Sequence, residues 1–270
     1  MTVLYAWGKA WDAGRCMYLV AFFGNASMLY ASAFGKGIMT GLMFQDRSHA
    51  GRNLAAVIAR FDLHDPVVVS LPCGGVPVAI EIASALDAPL QALAVRKLRA
   101  PTGRKVTIGA VAGDNITVLN DDLVPDLAGI EGRELDELVS AAHDELIGLS
   151  AQYGGDGASA SMQDRDVLVI DDGMTSGGSM RAAVELLRRQ HPARILVAVP
   201  TTSKYAEQRL LGVADDVICL DMPEAFLAVG CYYLNFGPVS HADASRQLAA
   251  YSRSVSARSS GFDASTAILP

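Results

Sequence analysis

Short apolar runs alternate with stretches of helical periodicity through most of the chain. Runs of strand length occur at 67–71, 91–95, 108–112, 116–119, 167–170, 194–199 and 217–220. Apolar residues recur every three or four positions at 45–61, 76–86, 131–149, from about 178, and at 203–211, which is typical of amphipathic helices. This alternation predicts an α/β fold, with a mainly parallel sheet flanked by helices. In such a sheet, ligands bind beyond the carboxyl ends of the strands.

The two ends of the chain depart from this pattern. Residues 16–35 carry no charge, but Gly, Asn and Ser residues dilute the apolar side chains, which argues against a membrane-spanning helix. We interpret 1–42 as an apolar N-terminal extension, either an accessory arm or a segment upstream of a natural start at Met39 or Met43; a weak targeting segment is the third interpretation. Residues 254–270 are rich in Ser without periodicity, which predicts a flexible tail. The expected domain is therefore 43–253.

The net charge and the placement of the cysteines indicate which kinds of protein this chain is not. The net charge of -7 argues against general nucleic-acid binding. The cysteines are scattered without a C-x-x-C pair, which indicates free thiols in a reducing compartment rather than disulfides or a zinc site. We therefore expect a cytoplasmic protein without stable membrane association.

The stretch 166–180 has the pattern of a ligand site. The apolar run 167–170 is followed by Asp171 and Asp172, then by a turn of glycines and hydroxyl residues at 173–179, then by helical periodicity. Glycines let backbone N–H groups approach an anion, and a helix N-terminus adds positive potential. The two carboxylates suit a sugar diol or a metal ion. One alternative is a Walker A loop, although the lysine before its final hydroxyl is absent; another is an ordinary capped strand-to-helix turn.

Two further loops follow predicted strands. A glycine-bearing turn at 72–75 follows the strand at 67–71, and the segment 96–105 holds five cations in ten residues of an acidic chain. We predict that the basic segment is a mobile lid that meets polyphosphate charge, with a solvated loop as the alternative. The histidines are dispersed, and we predict that each is a surface or cap residue.

The stretch from 167 to 179 resembles the 5-phosphoribosyl-1-pyrophosphate motif of the type I phosphoribosyltransferase superfamily. Similar matches to small bacterial phosphoribosyltransferase-domain proteins of unassigned acceptor occur at 44–47, 50–55, 71–75, 95–98, 109–112 and 223–236. The likeness covers about 43–248 and implies the type I phosphoribosyltransferase fold with a small C-terminal hood. It also implies Mg²⁺ as the cofactor and, from the family, a homodimer.

The resemblance assigns a role to each matching position. Asp171 and Asp172 would bond the ribose hydroxyls directly or through Mg²⁺. The residues implied to hold the 5-phosphate are Thr175, Ser176, Gly177, Gly178 and Ser179. The residues implied to meet the pyrophosphate are Cys73, Gly74 and Gly75, through their backbone, with Arg96 and Lys97 as its catalytic cations. Tyr233 and Phe236 are candidates for a hood that stacks on the acceptor, or else core aromatics.

The function that follows is transfer of a phosphoribosyl group to a nitrogenous base-like acceptor, with release of pyrophosphate. Cys73 stands where the family has an arginine, and no base can be named that would make it a nucleophile. The alternative is therefore a non-catalytic protein of the same fold that senses the phosphoribosyl donor or a nucleotide. A P-loop-like hydrolase is disfavoured by the missing lysine.

Overall fold

The computed structural model describes residues 5–6, 18–23, 27–32, 38–40, 43–100, 107–113, 116–119, 132–153 and 160–262. The segments before Phe44 are four antiparallel strands in sequential order: β1 Tyr5–Ala6, β2 Tyr18–Phe23, β3 Ser27–Ser32 and β4 Ile38–Thr40. No helix in the described ranges is long and apolar enough to cross a membrane.

Strands and helices then alternate much as the hydrophobic pattern predicts. The helices are α1 Arg47–Ile58, α2 Gly75–Leu86, α3 Arg133–Gln152, α4 Gly178–Arg188, α5 Lys204–Leu210 and α6 His241–Phe262. The strands are β5 Val67–Ser70, β6 Leu90–Ala92, β7 Val95–Arg99, β8 Thr107–Ala112, β9 Ile116–Leu119, β10 Asp166–Ile170, β11 Arg194–Thr201 and β12 Asp216–Asp221.

A parallel five-stranded sheet forms the centre, in the order β12-β11-β10-β5-β6. Strand β10 lies in the middle, and its Val167 pairs with Val67 on one side and Ile195 on the other. Helices α4 and α5 contribute Met180, Leu187 and Leu210 to the core on one face, and helices α1 and α2 contribute Leu54 and Ile82 to the core on the other. Burial on both faces explains why the strand is a continuous apolar run. The predicted α/β class is confirmed.

Strands β7, β8 and β9 form a separate three-stranded antiparallel sheet, in the order β7-β8-β9. The predicted pairing of the strands at 108–112 and 116–119 is therefore confirmed. The single strand expected at 91–95 was wrong, because this segment divides between β6 of the parallel sheet and β7 of the antiparallel one. Residues 96–99 lie in β7 and not in a mobile lid, since the buried Leu98 anchors them under α3. Residues 101–106 lie outside the described ranges.

The C-terminal helix is longer than the sequence pattern suggests. Helix α6 runs to Phe262, so residues 254–262 do not form the loose tail expected from their serine content. Tyr251 is buried, its hydroxyl donates to the carbonyl of Ala88 at 2.9 Å, and Val255 packs against the same core one turn later. Because Tyr251 and Val255 are four residues apart, they lie on one face of α6, and this face packs against the core. Residues 263–270 are outside the described ranges, and the domain limits stay a prediction.

Candidate functional site

A cavity of about 610 Å³ opens at the carboxyl ends of β5 and β10. The turn after β5, the turn after β10, and Lys97 and Thr107 of the antiparallel sheet all line it. The residues that line it are Leu71, Pro72, Cys73, Gly74, Val95, Lys97, Thr107, Asp171, Asp172, Gly173, Met174, Thr175, Ser176, Gly177, Gly178, Ser179, Met180, Val229 and Phe236. Loops separated by about a hundred residues in sequence therefore meet at one site, as a parallel sheet requires.

The paired acids Asp171 and Asp172 lie on the cavity wall directly after β10. Asp171 accepts a hydrogen bond from the Asp172 amide at 2.9 Å. Burial, followed by the charge of Asp172, raises the pKa of Asp171 well above its usual range, and Lys97 and Arg47 act in the opposite direction. A cation bound beside Asp171 would lower this pKa again, because it would stabilise the ionised form.

Arg47, at the start of α1, is paired with the second acid. Its Nε donates to Asp172 Oδ2 at 2.8 Å, and its Nη1 donates to the carbonyl of Gly237 at 2.8 Å. The guanidinium also lies 3.9 Å from the centre of the Phe236 ring, within cation–π distance. The sequence places Arg47 in a family-like segment but gives no role for it, since 125 residues separate it from Asp172.

The turn before α4 has the geometry of an anion cradle. Gly177 has a φ of 71° and caps the helix in the left-handed conformation, where a side chain is disfavoured. Within the described part of the chain, the amides of Ser176, Gly177, Gly178 and Ser179 donate to no backbone or side-chain acceptor. These N–H groups are free for an anion at the positive end of the helix.

Contacts from behind hold this turn in place. Ser203 Oγ donates to the carbonyl of Thr175 at 2.6 Å, and Arg209 Nη1 donates to the carbonyl of Ser176 at 3.1 Å. Both donors belong to the segment between β11 and the end of α5. Because the carbonyls are tied back, the amides of the turn are left free on the cavity side.

The turn after β5 lies against the acid pair. A Cβ atom on Gly74 would come within 2.1 Å of Asp172 Oδ2, and one on Gly75 within 2.8 Å of the Ile170 carbonyl. Only glycine allows this approach at position 74. The backbone of the turn therefore meets the same ligand volume as the carboxylates.

Cys73, in the same turn, has two polar neighbours that the sequence does not reveal. Its Sγ lies 3.4 Å from His241 Nδ1 and 3.9 Å from the Tyr153 hydroxyl. The Tyr153 hydroxyl is itself hydrogen-bonded to His241 Nδ1. Two expectations were therefore wrong: His241 is not merely a surface or cap residue, and an imidazole base does lie beside Cys73. The 168 residues between them explain why sequence reading misses the pair.

The two predicted cations of β7 lie on opposite faces of the strand. Lys97 lines the cavity, whereas Arg96 forms an ion pair with Glu145 of α3. Successive side chains on a strand point to opposite faces, so only one of two neighbours can reach the cavity. The structure thus brings Lys97, but not Arg96, to the other predicted site residues.

The two aromatic hood candidates also occupy different positions. Phe236 lines the cavity. Tyr233 is 5% exposed, packs 5.0 Å from the Phe236 ring centre, and donates its hydroxyl to the Asp172 carbonyl at 2.6 Å. Burial raises the pKa of Tyr233, which keeps that hydroxyl a donor. Tyr233 is therefore a core aromatic that supports Asp172, and of the pair only Phe236 can touch a ligand.

Comparison with known proteins decides the family. A family model for the phosphoribosyl transferase domain matches residues 45–234. The chain belongs to the phosphoribosyl transferase domain family. Two relatives from Mycobacterium tuberculosis, strains H37Rv and CDC 1551, named "Putative phosphoribosyl transferase Rv0571c" and "Putative phosphoribosyl transferase MT0597", are each 36% identical over 202 residues. The match covers 73% of this chain but 44% of either relative, so the chain spans about half their length.

A solved structure is similar over almost its whole length. The protein TT1426 from Thermus thermophilus is 37% identical, with a TM-score of 0.65 over 78% of this chain and 99% of that one. The cavity described above lies at the carboxyl ends of the parallel strands of this phosphoribosyl transferase domain, the place where open α/β sheets bind ligands.

The carboxylates that line this cavity are chemically suited to a magnesium ion. In the described ranges, no cluster of three or more His, Cys, Asp or Glu side chains could bind a metal alone. Mg²⁺ needs no such cage, because it is commonly bound by one or two carboxylates together with substrate phosphates and water. Asp171 and Asp172 supply that pair, and the raised pKa of Asp171 indicates a buried acid that a cation would stabilise.

Proposed function

We propose that the chain binds 5-phosphoribosyl-1-pyrophosphate in this cavity and transfers the phosphoribosyl group to a nitrogenous base-like acceptor, releasing pyrophosphate. One observation carries the proposal: an anion cradle with free amides and a pair of carboxylates line the same cavity. That arrangement is complementary to a sugar that bears a phosphate at one end and a diol beside it.

The proposed orientation of the donor follows from the charges on the walls. The turn at 175–179 would hold the 5-phosphate, and Asp171 and Asp172 would bind the ribose hydroxyls. The backbone of 73–75 and the Lys97 ammonium would face the pyrophosphate. Phe236 would contact the acceptor. Fixing both reactants in line supplies much of the rate acceleration when no covalent intermediate is needed.

In the reaction, the bond from C1 of the ribose to pyrophosphate breaks and a bond from C1 to an acceptor nitrogen forms. Positive charge develops on the sugar and negative charge on the leaving group. The carboxylates would stabilise the former and Lys97 the latter. Bound Mg²⁺ would supply further stabilisation of the leaving charge, held through Asp171 and Asp172.

Arg47 is proposed to fix the position of Asp172 through their ion pair. By pairing with Asp172 it leaves Asp171 as the carboxylate without an arginine partner among the described residues. Both acids would then bind the donor, directly or through a metal ion, with Asp172 held in a fixed position by Arg47. Arg47 also ties the hood segment at 236–237 to the acids.

The alternative is a protein that binds the donor or a nucleotide without turnover. The observation that favours it is Cys73, which supplies no positive charge to the pyrophosphate turn. We also propose, from the family resemblance, that the protein is a cytoplasmic homodimer acting on small molecules.

Two measurements separate these functions. Titration calorimetry with the donor and Mg²⁺ measures binding, and a coupled assay of pyrophosphate release is run against purines, pyrimidines and their precursors. Asp171→Asn should lower donor affinity at least tenfold, whereas the control Asp144→Asn, at an exposed position of α3, should not change it. Binding without pyrophosphate release for any acceptor favours the sensor, and Cys73→Arg then tests whether the missing cation is the reason. Absence of donor binding in the wild-type chain refutes both.

A further inference from the structure

The Cys73 cluster is a chemical group that the proposed transfer does not use. Cys73 lines the cavity from the turn after β5, His241 is the first residue of α6, and Tyr153 follows the end of α3. Elements far apart in sequence thus place a thiol, an imidazole and a phenol within 4 Å of one another. The thiol also faces a volume large enough for a small molecule.

A thiol in this position needs a base before it can react. Burial is the main cause that raises the pKa of Cys73. The hydrogen bond with Tyr153 and the charge of Arg47 act in the opposite direction, and the charges of Asp171 and Asp172 act in the same direction as burial. The thiol form therefore predominates at neutral pH, and the thiolate is the nucleophile. His241 Nδ1 lies at hydrogen-bond distance for sulfur, so in its unprotonated form it can take the thiol proton as the sulfur attacks, once its lone pair is released from the Tyr153 hydroxyl.

Cys219 provides an internal contrast. Its Sγ donates to the Asp221 carbonyl at 3.0 Å, and burial raises its pKa to about 12. A carbonyl cannot accept a proton permanently, so this thiol should be far less reactive than Cys73. Because Cys219 is also more deeply buried, a faster reaction at Cys73 identifies the more reactive thiol, and the His241→Gln variant then assigns that reactivity to the imidazole.

We propose that Cys73 is a covalent modification site, where the thiol exchanges with a low-molecular-weight disulfide of the glutathione class and His241 accepts the proton. Cys73 Sγ forms a bond to one sulfur of the disulfide as the S–S bond breaks. The proton passes from the thiol to His241 and then to the departing thiolate. The products are a mixed disulfide on Cys73 and one free thiol, so no other oxidant is required.

The cavity favours a disulfide of this class. Lys97 and the free amides of the turn at 176–179 attract the carboxylates of a glutathione-like molecule. The volume of about 610 Å³ admits one half of the disulfide. The attached group would then occupy the space proposed for the donor's pyrophosphate, a consequence that rests on the proposed function.

The test uses the full chain with oxidised glutathione and, for rates, dithiobis(nitrobenzoate), whose released thiolate absorbs visible light. Peptide mapping by mass spectrometry assigns the modified cysteine. Cys73 is expected to react at least tenfold faster than Cys219, and His241→Gln should slow Cys73 at least tenfold at neutral pH without changing Cys219. Equal rates for the two cysteines, or a Cys73 rate unchanged by His241→Gln, overturn the proposal.

Two further variants keep the test decisive if His241→Gln is unstable. Tyr153→Phe removes the hydroxyl and keeps the imidazole, so Cys73 should still react within about threefold of the wild-type rate; a loss as large as that of His241→Gln would make the phenol the essential group and overturn the assignment. His241→Ala should recover rate when free imidazole is added, and no recovery counts against the base.

Pyrophosphate binding before and after modification tests the steric consequence separately. Loss of binding on modification, restored by reducing agent, supports the overlap of the two sites. Full binding by the modified protein refutes that overlap and the proposed donor orientation, while the labelling rates still decide the chemistry of Cys73.

Discussion

Gly177→Ala should destabilise the protein through the backbone of the anion cradle. Gly177 has a φ of 71°, and a left-handed conformation costs an L-residue about 1–2 kcal/mol. An added Cβ would also lie 3.1 Å from the Ala206 carbonyl, closer than ordinary van der Waals contact. We therefore expect the free energy of unfolding to fall by about 1–2 kcal/mol, which lowers Tm by roughly 2–8 °C for a domain of this size.

The chain offers a matched control for this experiment in Gly148. This glycine lies at an exposed position of α3, its φ is in the ordinary range, and a Cβ there would meet nothing within 4 Å. Gly148→Ala should raise the free energy of unfolding by about 0.5–1 kcal/mol, since alanine is the better helix former. The same chemical change thus has opposite signs at two positions.

The assay is urea denaturation followed by circular dichroism, with thermal melts as a second measure. Gly177→Asn should lose less stability than Gly177→Ala, because asparagine tolerates the left-handed region while carrying the same Cβ. The comparison therefore separates backbone strain from the contact with Ala206. A loss below about 0.5 kcal/mol for Gly177→Ala, the range of ordinary surface changes, would falsify the argument.

Further expected results concern the acids and their partners. Gly74→Ala should reduce donor affinity at least tenfold in calorimetry, because the added Cβ would lie 2.1 Å from Asp172 Oδ2 and would displace either the turn or the carboxylate. Unchanged affinity would contradict this. Arg47→Lys should lower the free energy of unfolding by about 1–3 kcal/mol, since lysine keeps the charge but not the planar group that bonds both Asp172 and Gly237. A loss of stability confined to high pH would point to another cause. Asp166→Asn should destabilise by about 1–3 kcal/mol at pH 7, because Arg194 bonds this buried carboxylate. The Arg194 hydrogen bond lowers the pKa of Asp166, so its stabilisation is present above the ordinary Asp pKa and is lost as pH falls through the folded value; the two proteins should then converge in acid.

The sequence predicts which residues meet at the centre of the candidate site, because these residues are neighbours in the chain. The strand, the acid pair and the glycine turn occupy one continuous segment, 166–179, and each follows from periodicity or from the conformational needs of glycine. The parallel sheet then places the turn after β5 beside it, as the alternation of elements implies.

What the sequence does not predict depends on contacts between distant segments. Arg47 with Asp172, and Cys73 with His241, are brought together only by the packing of α1 and α6 around the sheet. The first part of the basic segment differs from the prediction for another reason: its charge density suggests a loop, but the buried residue Leu98 anchors residues 96–99 as part of a strand. In α6, alanine and serine conceal the spacing of the few anchoring side chains.

The bonds that tie the turn to Ser203 and Arg209 have a thermodynamic consequence for recognition. A loop already held in its binding shape loses little conformational freedom when an anion arrives, so more of the interaction energy remains as affinity. Association should therefore carry a small entropic penalty and be fast, because the turn already has its binding shape. Removal of either hydrogen bond, by substitution of Ser203 or Arg209, should slow association and make the entropy of binding less favourable, while the ligand's own contacts with the turn stay intact.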